Sequence, residues 1–260
     1  MRVYRCCCLA ALTVALICVT ASQLSAAEPG QGFTTVIQPN LTGEELNAHQ
    51  DPWALQVGLK PIRLAYVQAV NPRTGAKSSE MVWYLVYKIV NQPAVKSPLG
   101  ADSAPVNVQD PTPPGLCVPR ATLVIEDRDI RGAVADSIVP EALPEIMARE
   151  RLPLKTSVQM AGLLPKPTGP GAKQENAEYG VFMFRGVNPR TTSFSIYLSG
   201  FSNAYKIGKD ESGKPMVLRR TIQIPYRRYA DRYDQFAREI KQEGEPKWIY
   251  VPDEATVAKK

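Results

Sequence analysis

The run from Met81 to Val90 constrains this chain more than any other segment. It is apolar at every position but Lys88, and Trp, Tyr, Val and Ile dominate it. Those residue types fit a pleated sheet. Alternation puts Trp83, Leu85, Tyr87 and Ile89 on one face and Val82, Tyr84, Val86 and Val90 on the other. A strand apolar on both faces belongs in the interior of a sheet. Just before it, Ile62, Leu64 and Tyr66 alternate with Arg63, Ala65 and Val67, a second strand signal. The turn residues Asn71-Pro72-Arg73-Thr74-Gly75 separate the two, so an antiparallel pair is expected.

The same period recurs along the chain. Strands are predicted over Phe33–Gln38, Thr122–Glu126, Lys155–Ala161, Val181–Arg185, Ser193–Ser199, Met216–Ile224 and Trp248–Val251. Helical signals are few. Thr42 stands three residues before Glu45, a capping-box spacing that predicts one or two turns over Leu41–His49. Ala142, Leu143, Ile146, Met147 and Glu150 have helical spacing, with Pro140 and Pro144 at its start. Tyr229, Tyr233, Phe236 and Ile240 recur at helical intervals and predict an amphipathic helix. Seven prolines fall within residues 91–119, and no central strand can live there because proline lacks the ladder donor. Residues 163–178 are rich in Pro and Gly and read as a second exposed loop. Val-Asn-Pro-Arg-Thr occurs twice, at 70–74 and 187–191, and both copies read as Asn-Pro turns. The fold class expected is all-β: an immunoglobulin-like antiparallel β-sandwich with one or two short helices and long Pro-rich loops.

Residues 1–27 have the pattern of a secretory signal peptide: Arg2 and Arg5, an apolar run from Leu9 to Val19, then Ser25-Ala26-Ala27. The divisions expected are a leader to 27, a lead-in segment over 28–60, a β-sandwich domain over 61–252 and a disordered tail over 253–260. Cleavage after Ala27 would remove four of the five cysteines and leave Cys117 alone, so the fold must be held by its core rather than by a disulfide. Losing Arg2 and Arg5 lowers the formal charge from +6 to +4, a mild value that permits attraction to anionic envelope polymers. The expected location is periplasmic, cell-envelope or extracellular. The expected partner is an envelope polymer or protein and not nucleic acid, with membrane contact only through the leader if it is retained.

Catalytic chemistry is sparse. One histidine, His49, and one remaining cysteine cannot build a Ser-His-Asp triad or an ordinary zinc site. No phosphate-binding glycine loop occurs, and no cofactor is expected. Glu126, Asp127 and Asp129 crowd one strand end and are the metal candidates, for calcium, which needs only oxygen ligands. The simpler reading is a solvated acidic loop neutralised by Arg128 and Arg131. Glu126 with Asp129 or Glu141 could also serve as a carboxylate pair for glycoside hydrolysis. Arg227, Arg228, Tyr229 and Arg232 are the ligand-binding candidates, because Arg interleaved with Tyr suits stacking on sugars or clamping an anionic polymer. The simpler reading there is a helix with tyrosines inward and arginines wet.

Several segments, in order, resemble a group of uncharacterised exported β-sandwich proteins of planctomycete-like bacteria. They are Trp83–Asn91, Ile138-Val139-Pro140 with Arg149-Glu150, Gly186–Thr191, Ile196–Asn203, Arg219-Arg220-Thr221 and Trp248-Ile249-Tyr250. The resemblance covers about residues 61–251 and implies export and a β-rich domain. It brings no function and no catalytic residues. The function expected is therefore an exported, non-enzymatic binding or structural protein of the cell envelope. The alternatives are a carboxylate-dependent hydrolase of envelope carbohydrate and a calcium-stabilised adhesion module.

Overall fold

The computed structural model describes residues 32–48, 51–70, 75, 77–92, 115–169, 176–210, 212–229 and 239–252. In chain order the first half supplies β1 (Thr35–Ile37), α1 (Gly43–Ala48), β2 (Gln56–Leu59), β3 (Arg63–Val70) and β4 (Lys77–Val90). Next come β5 (Leu116–Cys117), β6 (Arg120–Ile125), β7 (Gly132–Ala135), α2 (Leu143–Glu150) and β8 (Lys155–Thr156). They are followed by α3 (Ser157–Met160), β9 (Gly162–Leu163), β10 (Ala177–Arg185), β11 (Ser193–Ser199) and β12 (Tyr205–Lys209). The chain closes with β13 (Pro215–Arg228), β14 (Ile240–Gln242) and β15 (Lys247–Pro252).

Strand β4 organises the first sheet, as its two apolar faces require. One of its edges takes β2 along Tyr87–Val90 and β3 along Lys77–Tyr84; the other takes β10 along Val82–Val90. The second sheet is built on β13 in the same way. Strands β11 and β12 follow one edge and β14 and β15 the other, and β6 and β7 extend the sheet beyond β11. All pairings are antiparallel except the short β10–β8 contact. This is the all-β, antiparallel class that the alternation patterns predict.

The two faces of β4 face different cores. Trp83, Leu85, Tyr87 and Ile89 join Phe182 and Phe184 of β10 and the inward residues of β6, β11 and β13 in a core between the sheets. The ring of Tyr87 stacks on Phe182 with centroids 4.3 Å apart and meets Phe201 edge-on, and Trp83 meets Phe194 edge-on. Gly180 is required beside Tyr87, because a Cβ there would fall 2.3 Å from the ring. On the other face, Val82, Tyr84 and Val86 pack with Val139, Ala142 and Ile146, so the segment carrying α2 caps the outside of the first sheet. The described residues thus form three layers: helix, sheet and sheet.

Two sequence readings are corrected. Lys155–Ala161 is not a strand beyond Thr156. Gln159 N–H reaches the Thr156 hydroxyl at 3.3 Å, while the Gln159 carboxamide oxygen accepts from Thr156 N–H at 2.9 Å. This reciprocal capping turns the chain into α3. The helix expected from Tyr229 to Ile240 also fails at its ends. Strand β13 runs on to Arg228, and Ile240 opens β14, which pairs back onto Tyr226–Arg228. Cross-strand pairing in a sheet already formed outweighs local helical spacing. Tyr233 and Phe236 lie outside the described residues, as do His49, the leader and the tail. The described part of residues 28–60, expected as a lead-in, supplies β1, α1 and β2. Leu55, Val57 and Leu59 are fully buried.

Candidate functional site

The acidic cluster is not assembled as a site. Asp127 turns inward from the end of β6 and is buried. Its Oδ2 accepts from Thr192 N–H at 2.9 Å, and its Oδ1 accepts from the Thr192 hydroxyl at 2.5 Å and from Ser193 N–H at 3.1 Å. That carboxylate clamps the second Asn-Pro turn, where Asn188 caps Arg190 N–H, to the start of β11. Glu126 is exposed and faces the other way, and Asp129 is exposed. Among the described residues, no three His, Cys, Asp or Glu side chains gather as a metal ion would need, so Glu126, Asp127 and Asp129 do not form the calcium site proposed for them. Cys117, the one cysteine among the described residues, is buried, and burial first and the Glu178 charge second push its thiol up to about 12.

The arginine–tyrosine group is split by the strand that carries it. Arg228 is buried and belongs to the core. Its guanidinium donates to the Pro189 carbonyl and lies 6.0 Å from the Trp83 ring centroid. Arg227, one residue earlier, is exposed and pairs with Glu243 at 3.0 Å. Tyr229 is exposed, with Lys241 over its ring. Arg232 lies outside the described residues. Of the four candidates, Arg227 and Tyr229 are at the surface and Arg228 is structural.

Sequence reading missed two buried ionic clusters, because each joins residues far apart in the chain. Glu150, at the end of α2, accepts from Lys60 Nζ at 3.0 Å, Arg63 Nη1 at 2.8 Å and the Tyr84 hydroxyl at 3.0 Å. Burial raises its carboxyl, but the Lys60 hydrogen bond, the Arg63 charge and the Tyr84 hydroxyl outweigh it and leave a net lowering. Glu45 of α1 caps Thr42 N–H at 2.7 Å, accepts from the Tyr250 hydroxyl and meets Arg220 Nε at 3.3 Å. The Arg220 guanidinium stacks on Trp248 at 4.3 Å. The first cluster ties α2 to the first sheet; the second ties α1 to the second sheet.

Two surface features remain once these charges are accounted for. One is a cleft of about 620 Å³ between α2 and α3, lined mainly by Ile138, Pro140, Leu143, Pro144, Met147 and Val158. Ile138 and Val158 are exposed there. The other is the outward face of the second sheet. Inward positions on its strands are filled by Leu123, Ile125, Phe194, Ile196, Leu198, Ile222, Ile224 and Tyr226. Period-two alternation therefore turns their neighbours outward. The registers place Arg120 of β6, Lys209 of β12, Arg219 and Arg227 of β13, Lys241 of β14 and Lys247 of β15 on that side, all exposed. No carboxylate occupies an outward strand position; Glu126, Glu239 and Glu243 stand just beyond strand ends. The outward face follows from alternation, but the strand signal for β12 was too short to read, and β14 was hidden by helical spacing; the cleft depends on how α2 and α3 pack, which alternation does not give.

No protein-family model, curated protein or solved structure matches this chain.

Proposed function

We propose that the protein is an exported, non-enzymatic binding or structural protein of the cell envelope, with an immunoglobulin-like β-sandwich as its body. In this reading it is akin to the exported proteins of planctomycete-like bacteria that its segments resemble. The observation that carries the proposal is the division of labour among its charges. The buried ones among the described residues, Glu45, Lys60, Asp127, Glu150, Arg220 and Arg228, are bonded into the fold. The exposed ones include six cations at outward strand positions of the second sheet, two of them paired with carboxylates at strand ends, an arrangement that suits attachment.

Co-sedimentation of the purified protein with isolated native envelope, across a salt series, tests this. Saturable binding that weakens with salt is expected. Absence of binding at low salt would overturn it. So would turnover of envelope carbohydrate that Glu126→Gln or Asp129→Asn abolishes.

A further inference from the structure

The outward face of the second sheet can be read further, resting on the envelope-binding proposal above. We infer that this face is the docking surface for a linear polysaccharide bearing carboxylates. Three features support that partner.

The first is charge. Six exposed cations sit on outward strand positions of β6, β12, β13, β14 and β15, without a carboxylate among those positions. Arg227 and Lys241 are paired at the strand ends with Glu243 and Glu239. That makes Arg120, Lys209 and Lys247 the cations of this face on which the argument rests. Spread over three strands of one sheet face, these cations draw an anionic partner to it.

The second is shape. The cations are distributed over a sheet surface and are not gathered in a pocket. Arg219 and Arg227 lie eight residues apart on one strand, a span of about 27 Å at about 3.4 Å per residue. Lys209, Arg120 and Lys247 widen the array across neighbouring strands. A small anion would meet one or two of these groups; a polymer with charge on each repeat meets several at once, and multivalency makes modest contacts effective.

The third is what lies between the cations. The Gln223 amide donates to the Tyr197 hydroxyl at 3.0 Å on this face, beside Thr122 and Ser199 on neighbouring strands. Hydroxyls and amides match sugar hydroxyls. At one end Tyr205, Ile207 and Val217 are exposed on the same side, offering flat apolar contact to sugar rings. An anionic bilayer would make little use of the polar groups at the centre of the face.

The test compares polygalacturonate with neutral dextran and with vesicles of phosphatidylglycerol and phosphatidylcholine. The face variant is Arg120→Gln/Lys209→Gln/Lys247→Gln, at three exposed positions that no core contact uses. The control is Arg151→Gln/Lys155→Gln/Lys166→Gln, which removes the same charge elsewhere. The wild-type protein is expected to bind polygalacturonate and not dextran. The face variant is expected to bind about tenfold more weakly or worse at low salt, and the slope of log K against log salt should fall by about two. The control should keep both the affinity and the slope. Equal loss in the two variants overturns the inference, as does binding to dextran or to vesicles in place of polygalacturonate. If envelope co-sedimentation persists while polygalacturonate fails, the partner class is wrong and the envelope reading stands. If envelope binding is absent as well, both fall. Circular dichroism of each variant confirms that a loss is not unfolding.

Discussion

Removing the Glu150 carboxylate should be among the costliest charge changes at the described residues. Its side chain is 2% exposed, and it accepts from Lys60, Arg63 and Tyr84 together. Lys60 is itself buried, with 9% of its side chain exposed, so Glu150→Ala strands an ammonium and a phenol away from water. Breaking one side of a buried pair costs about 3–5 kcal/mol, because the remaining charge is left uncompensated. Arg63 is 47% exposed, so its share is screened and adds little. Urea unfolding of wild type, Glu150→Ala, Lys60→Met and the double variant gives the cycle. The single Glu150→Ala change is expected to lower stability by about 3–5 kcal/mol at constant m. The double variant should be less destabilised than the sum of the two singles by about 2 kcal/mol. The pH dependence follows from the lowered carboxyl. Its stabilisation is fully present above the unfolded value, near pH 4.3, and is lost as pH falls through the lower folded value. Wild type should therefore lose stability below about pH 4.3 more steeply than Glu150→Ala does. A loss under about 1 kcal/mol, or a cycle with no coupling, would refute the assignment.

Other outcomes follow from particular contacts. Arg228→Ala should destabilise the fold by about 2–4 kcal/mol, since it deletes a buried charged donor and its packing; Arg227→Ala, at an exposed ion pair, should stay within about 1 kcal/mol, as chemical denaturation will read. Asp127→Ala should cost about 2–3 kcal/mol by freeing the turn at Thr192. The melting temperature should not move on adding calcium or a chelator, in either protein. Native Cys117 should react with iodoacetamide at pH 8 about a thousandfold more slowly than in urea. Its thiol is pushed up to about 12 from 9.0, and mass spectrometry will follow the adduct.

Much of the fold was legible because it depends on alternation. Strand β4 demanded cover on both faces, and the structure supplies a sheet on one side and the α2 segment on the other. The capping-box spacing of Thr42 and Glu45 marked α1, and that box is formed. Strand β2 escaped notice because it is only four residues long, although Leu55, Val57 and Leu59 alternate with Gln56, Gly58 and Lys60. The Thr156–Gln159 box was present in the sequence, yet strand-like composition over 155–161 masked it. The apparent helix after Arg228 misled because Tyr226 and Ile240 share a buried cluster through sheet pairing, not through helical spacing.

The site was legible only in part, for a different reason. Arg227 and Arg228 are neighbours, and only the inward–outward sense of β13 separates a surface cation from a core one. The cations of the outward face come from five strands spread between Arg120 and Lys247, so no local window could gather them. Glu150 and Lys60 are 90 residues apart, and nothing local points from one to the other.

The central claim is that this basic face is the working surface of the protein. Lysine acetylation read by mass spectrometry, with and without saturating envelope, tests it most directly. Lys209 and Lys247 should be protected on binding, while Lys155 and Lys166 on the rest of the surface keep their rates. Uniform protection, or protection of Lys155 and Lys166 with Lys209 and Lys247 still reactive, would contradict it.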